Sequence, residues 1–376
     1  MAAALRMLQL HQCPVRRFSL TWLGWCEHFY WVESMLRSQR FKDIQEFEVY
    51  AYRPIPLSVI SFLPVLRVLC ICICSGIEFP AETTCTLSFP GLKQLTLANV
   101  NMSETNLQGV LSSCPVLESL LLDGNIGCRR LQISSLTLRN LGVSDGARGI
   151  EGKLEELIIK DAPLLERLIP RLPSYGLVIR VIQAPKLKTL GYLHDDIRTL
   201  ELGTMVFEKM VPVSLSNMMR TVKILALLTA PNLDLVTGFL KCFPCVEKLY
   251  IVSYTRMIFK NVQSYAPLEC LDRHLKKLQI VNYEKRSDIN FIKFFVLHAR
   301  VLESMKFVVR HGNCDAKWVA RQHKKLQVND RASRGARFDF EASQWSSSSV
   351  HMKHIHDLSM DPFDGSLCRC HGDAFL

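Results

Sequence analysis

Between Phe89 and Asn125 the apolar residues change rhythm twice. Leu92, Leu95 and Leu97 form an L-x-x-L-x-L pattern, and the alternation around Thr96 predicts a short strand with one buried face. Asn99–Asn106 is polar, with Ser103 and Glu104 supplying helix-start chemistry. Leu107, Val110 and Leu111 then recur at helical spacing, Pro115 stops the helix, and Leu117, Leu120 and Leu122 repeat the first pattern. A strand that returns in the same phase after one helical excursion is a unit of a stacked repeat.

The triplet recurs along most of the chain. It is found at Ile44-Phe47-Val49, Leu66-Leu69-Ile71, Leu92-Leu95-Leu97, Leu117-Leu120-Leu122, Leu138-Leu141-Val143 and Leu154-Leu157-Ile159. Further copies are Leu187-Leu190-Tyr192, Ile197-Leu200-Leu202, Val222-Leu225-Leu227, Val246-Leu249-Ile251, Leu275-Leu278-Ile280 and Leu302-Met305-Phe307. The early copies step by 22, 26, 25 and 21 residues and the late ones by 25, 24, 29 and 27, while the middle steps by 16, 33 and 10. A second, independent signal is the approach to the strand: LQGVLSSCPVLESL, VTGFLKCFPCVEKL and IKFFVLHARVLESM each end an apolar helix face just before the strand core. Together these predict an α/β leucine-rich-repeat solenoid, with parallel strands on the concave face and helices or short turns on the convex face.

The predicted organisation is an N-terminal capping segment at 1–43, with a short helix over Trp31–Leu36; a repeat region at 44–267; C-terminal repeats and a cap at 268–345; and a polar, flexible tail at 346–376. In such a repeat the residues flanking the buried strand positions line the concave face, where stacking sets them in columns. That argument nominates Lys93, Gln94, Thr96, Glu118, Ser119, Leu121, Glu155, Glu156, Lys248, Tyr250, Lys276, Lys277 and Gln279 as a protein-binding surface. A pre-ordered surface lowers the entropic cost of binding.

Composition narrows the class. Hydrophobic residues make up 48% and charged residues 22% of the 376. No stretch approaches the ~18 apolar residues of a membrane span. MAAALRMLQLHQCPVRRF interrupts its apolar run with an arginine and shows no cleavage pattern, so the expected setting is intracellular, in nucleus, cytoplasm or both. The 14 cysteines are then expected reduced. Cys70, Cys72 and Cys74 alternate on one strand, opposite Leu69; Cys114, Cys242 and Cys245 mark helix-to-strand junctions, where a small apolar residue packs well. Cys242-x-x-Cys245 has ligand spacing without a second pair nearby, and Cys368, Cys370, His371 and the histidines at 351, 354 and 356 lie in the tail. No metal and no cofactor is assigned.

Enzyme chemistry is not expected. G-x-S-x-G, H-E-x-x-H and a Walker-type loop are all lacking, and the Gly142–Gly152 loop has no phosphate-binding pattern. His194, Asp195 and Asp196 form a charged cluster in a loop after a strand, and no catalytic residue is named. The formal net charge is +11, and its clearest run is Lys317 to Arg337. Trp318, Val319 and Leu326 give that run a partial apolar face, which reads as a capping helix with a solvated basic side. Without a zinc finger, RNP-type strand or phosphate loop, nucleic acid is not an expected partner. A nucleic-acid- or metal-linked binding protein using this region is the alternative reading.

Several stretches carry a resemblance: LSFPGLKQLTLANVNMSETNLQGVLSSCPVLESLLLDGNIGCRRLQISS at Leu87–Ser135, LEELIIKDAPLLERLIP at Leu154–Pro170, VIQAPKLKTLGYL at Val181–Leu193, and Leu268–Val309 continuing through WVARQHKKL to ARFDF. They resemble plant F-box proteins with leucine-rich repeats and a C-terminal FBD region, notably the grass branch. The resemblance implies substrate recognition by the repeats and, through an F-box, docking to a Skp-type adaptor of a cullin ubiquitin ligase. Met1–Asp43 shows no F-box signature and is similar to the segment that follows one. The expected role is therefore a substrate-binding module that recruits adaptor and cullin only when an F-box is supplied, or a truncated product that sequesters its substrate. No membrane partner is expected.

Overall fold

The computed structural model describes residues 14–22, 41–51, 65–73, 88–144, 153–171, 175–253, 267–283, 289–309, 314–342 and 352–364. The chain divides into two compact units, Met1–Leu131 with Asp145–Leu154, and Gln132–Ser144 with Glu155–Leu376.

In the first unit, β1 (Arg17–Trp22), β2 (Glu46–Ala51), β3 (Val68–Ile73), β4 (Gln94–Ala98) and β5 (Ser119–Asp123) pair in parallel in chain order. The register stacks Phe47, Leu69, Leu95 and Leu120 in one buried column and Val49, Ile71, Leu97 and Leu122 in a second. The helix α1 (Glu104–Ser112) returns the chain from β4 to β5, with the Ser103 side chain capping it by accepting from the Asn106 amide, and with Leu107 and Val110 on its buried face. Asn125, to which the sequence reading gave no role, ties two coils together. Its side chain accepts from the Val100 amide at 2.8 Å and donates to the Leu97 carbonyl at 2.9 Å. The strand β6 (Arg130–Ser134) follows.

One backbone device recurs at most strand starts of the main series. The carbonyl just before a strand accepts two amides from the next coil: Lys93 O from Glu118 and Ser119, Lys223 O from Glu247 and Lys248, Lys276 O from Glu303 and Ser304, at 2.8–3.1 Å. The doubled bond fixes register, because a slip of one residue breaks both bonds and turns every leucine to the wrong face.

In the second unit β7 (Asn140–Ser144), β9 (Arg167–Arg171), β11 (Thr189–His194), β15 (Ile224–Leu228), β16 (Lys248–Val252), β17 (Lys277–Tyr283), β18 (Ser304–Val309) and β19 (Arg337–Ala342) form one parallel series, joined by the same device from β7 as far as β18 and by the single Arg337 amide on Glu303 O at β19. Leu141, Leu168, Leu190, Leu225, Leu249, Leu278 and Met305 form its main buried column, each at most 1% exposed. A second sheet covers the return side of the middle coils. There β8 (Glu156–Asp161), β10 (Leu177–Val181) and β12 (Ile197–Leu202) run parallel, and β13 (Met205–Glu208) and β14 (Val211–Pro212) fold back antiparallel.

This corrects the strand assignment. Leu154-Leu157-Ile159 and Ile197-Leu200-Leu202 belong to return strands, and the series strand of that coil is led by Leu165-Leu168-Pro170. The steps of 16, 33 and 10 arise because strands of both sheets were counted in one series. Later coils return by helices: α2 (Leu233–Cys242), α3 (Glu269–Arg273), α4 (Ile289–His298) and α5 (Ala316–Leu326).

The ends also differ from expectation. Residues 17–22 are a full repeat strand, not only a cap, and β19 adds a strand beyond the last recognised triplet. Phe340 of β19 stacks on Phe307 at 4.5 Å, and Trp318 of α5 meets it edge-on at 5.4 Å. The expected helix at Trp31–Leu36 lies outside the described residues.

Replacing Leu249, fully buried, with Ala is expected to cost about 2–5 kcal/mol in urea unfolding, while Ile182→Ala at an exposed position shifts stability by less than about 0.5 kcal/mol. Asn125→Ala is expected to cost about 1–3 kcal/mol by the same measurement, since two part-buried backbone groups lose a partner.

Candidate protein-binding face

The series strands present, away from the leucine core, every second residue: the concave face of the repeat. In the first unit this places Gln94 in register with Ser119 and Thr96 with Leu121. Thr96, Ser119 and Leu121 are buried at 3%, 1% and 0% exposure, so these three nominated residues do not offer an open surface. Lys93 and Glu118 stand at the strand starts and pair with each other at 2.7 Å. On that exposed rim the pair is worth at most about 1 kcal/mol.

In the second unit Lys248 lies in register with Lys277, and Tyr250 with Gln279. These four nominated residues share the face, with Tyr250 itself only 4% exposed beneath residues 361 and 363, while Lys276 belongs to the rim at the strand start, its carbonyl holding the next coil. Glu155 and Glu156 are not on this face. Glu156 lies on β8 in the return sheet, where it pairs with Arg180 of β10, and Glu155 immediately precedes β8. Both return and series strands bury alternate leucines, so the triplet alone does not tell them apart.

Residues 352–364 occupy part of this face. The expected flexible tail is here a helix, α6 (Met352–His356), followed by turns that lie against β7, β9, β11 and β16. Ile355 is fully buried, and its carbonyl accepts from the Asn140 side chain. The Arg167 guanidinium donates to the carbonyls of Asp357, Leu358 and Met360 at 2.8, 2.8 and 2.5 Å. Burial lowers the pKa of that guanidinium from its ordinary value, with Asp361 and Asp357 opposing the shift. The Asp361 carboxylate accepts from Lys248 Nζ at 2.8 Å and from the Tyr250 hydroxyl at 2.9 Å. Phe363 lies between Tyr192 and Tyr250, with ring centroids at 4.9 and 5.5 Å. Burial, then the Asp361 carboxylate, raises the Tyr250 phenol far above its ordinary value, which keeps it a donor. A tail of polar composition orders here because its few apolar residues and one carboxylate all find built partners.

Residues 32–251 match the family model for FBD-associated F-box protein At5g56370, LRR repeats, and residues 264–307 match the FBD model. The chain belongs to this family of FBD-associated F-box proteins with leucine-rich repeats. No curated protein matches it.

The FBD match covers α3, β17, α4 and most of β18, so in this family member the FBD region is built as further repeat coils. It precedes the basic run, which is an amphipathic cap: Trp318, Gln322 and Leu326 are buried, Gln322 accepts from the Tyr283 hydroxyl at 2.9 Å, and Lys317, Arg321, Lys324 and Lys325 face solvent. Protein interaction is thus the class of activity that the repeats support. Among the described residues no helix is long and apolar enough to cross a membrane.

The remaining reactive groups have local explanations. His194, the last residue of β11, contacts Asp195 at 3.2 Å and Asp196 at 2.8 Å in the turn that follows, and accepts from the Asp196 amide. Cys70 and Cys72 do face away from Leu69, 3.6 Å apart and buried. Cys114 and Cys242 are buried at junctions, and burial raises both thiols to about 11, which keeps them protonated packing groups. Cys245 is buried beside Arg220. Cys74, Cys368, Cys370, His351, His371 and most of the Gly142–Gly152 loop lie outside the described residues.

Burial pushes His356 of α6 down to about 4, so the folded chain holds it neutral. Unfolding restores a pKa of about 6.5, and the unfolded chain then binds the extra proton between those values. The stabilising contribution is therefore complete above about pH 6.5 and is lost as pH falls toward 4. Between pH 7 and 4.5, wild type is expected to lose more Tm than His356→Gln, read by thermal melts at fixed ionic strength.

Proposed function

We propose that this chain holds a protein substrate on the face formed by β15 to β18 and neighbouring strands, as the substrate-recognition part of an SCF-type ubiquitin ligase F-box protein. The observation that carries the reading is the in-register set Lys248–Lys277 and Tyr250–Gln279, fixed on a continuous backbone ladder. Charged and polar side chains on a rigid platform bind without first paying for their own ordering. The family supports the ligase connection, because an F-box docks on a Skp-type adaptor and through it on a cullin. The role is binding and not catalysis, with no cofactor or metal, in the nucleus, cytoplasm or both.

The test is adaptor capture. The 376-residue chain and the same chain with an F-box fused ahead of Met1 are each used to pull down a purified Skp-type adaptor. The fused form is expected to retain stoichiometric adaptor and the unfused form none. Failure of the fused form sinks the ligase reading. Retention by the unfused form would place a docking surface within the chain itself.

A further inference from the structure

The docked segment shows what this face recognises. Three separate chemistries meet it, from the series strands β9, β11 and β16. Lys248 and Tyr250 of β16 converge on one oxygen of the Asp361 carboxylate, which is 8% exposed. Tyr192 of β11 and Tyr250 bracket the Phe363 ring, which is 5% exposed. Ala226 of β15, in register with Tyr250, contributes only a methyl to that part of the face. Arg167 of β9 spends its donors on main-chain carbonyls. A desolvated carboxylate is tolerated only where donors are already aimed at it, and here the backbone ladder aims them.

The segment, in turn, is shaped by its own side chains. Asp357 Oδ1 accepts from the Ser359 amide at 2.9 Å, and the second Asp361 oxygen accepts from the Phe363 amide at 3.1 Å. Asp361 thus closes a turn with one oxygen and meets the strands with the other. The recognised shape is a tight turn that presents a carboxylate and, two residues later, an aromatic ring.

We propose that this face is a binding site for a partner-protein segment of that shape, and that residues 352–364 are a built-in copy which the partner displaces. The proposal rests on the protein-binding reading above and gives its partner a chemistry. A tethered copy competes at an effective concentration on the order of mM, so the face is closed to weak ligands and opens to a segment that matches it better.

The probe is a fluorescently labelled peptide with the sequence of residues 352–364, followed by anisotropy against the full chain. The chain carrying Asp361→Ala with Phe363→Ala vacates the face and is expected to bind the peptide about ten- to hundredfold more tightly than wild type. Adding Tyr250→Ala to that chain is expected to abolish binding, as is replacing the aspartate and phenylalanine of the peptide's Asp-Pro-Phe run by Ala. Phe363→Leu, which keeps most of the buried area, is expected to give an intermediate gain and serves if the double variant melts early. Equal binding by wild type and vacated chains, or equal binding of the altered peptide, overturns the proposal. Adaptor capture by the F-box fusion is scored separately: peptide binding without capture sinks the ligase reading alone, and capture without peptide binding sinks this one alone.

Discussion

No coil of this protein can bury its own leucines, and the constraint that lets neighbours do it is the doubled hydrogen bond at the strand starts of the main series. One carbonyl holds two amides of the next coil, and from that point the strand has only one phase in which Leu, Met or Phe meets the column beside it. The buried columns, the rim of charges and the polar face all follow from this single registration. Helix or strand on the return side is secondary, since β8, β10 and β12 to β14, like α2 to α5, close coils of the same series.

Where the pattern of the sequence was tied to this registration, it was legible. The strands at Leu92, Leu117, Val222, Val246, Leu275 and Leu302 lie where the triplets put them, and Ser103 caps its helix as its position suggests. Between Leu154 and Leu202 the same pattern misled, because a parallel strand buried on one side reads alike in either sheet. Charge row and carbonyl pairing distinguish them: Glu166, which pairs with Arg139 and Lys188, sits in the rim, whereas Glu156 pairs with Arg180 across the return sheet. The end strands escaped detection for a different reason. RFDFEA alternates properly but has Gly335 where the triplet needs an apolar residue, while Val15-Phe18-Leu20 fits the triplet and was hidden by the polar and basic residues around it.

The candidate face was half legible. Lys248, Tyr250, Lys277 and Gln279 follow directly from strand alternation, but alternation says nothing of what covers a face. Thr96, Ser119 and Leu121 obey the same periodicity and are buried. Tyr192 reads as the buried third position of its triplet, but a register shift puts Leu193 opposite Leu227 and leaves Tyr192 against Phe363; the partners at Arg167, Asp361 and Phe363 were invisible because recognition across more than a hundred residues of chain leaves no local periodicity. The one sequence sign was Asp-Pro-Phe itself, an acid and an aromatic held at fixed spacing by a proline within a polar stretch.

Arg167 has a consequence of its own. Its three acceptors are carbonyls, which every amino acid carries, so the guanidinium grips the chain without reading the side chains at 358 and 360. Sequence drift at those positions leaves the grip intact, while change at 361 or 363 does not. The segment thereby separates being held from being identified, and a face built that way can exchange one ligand sequence for another by altering two residues without rebuilding its scaffold.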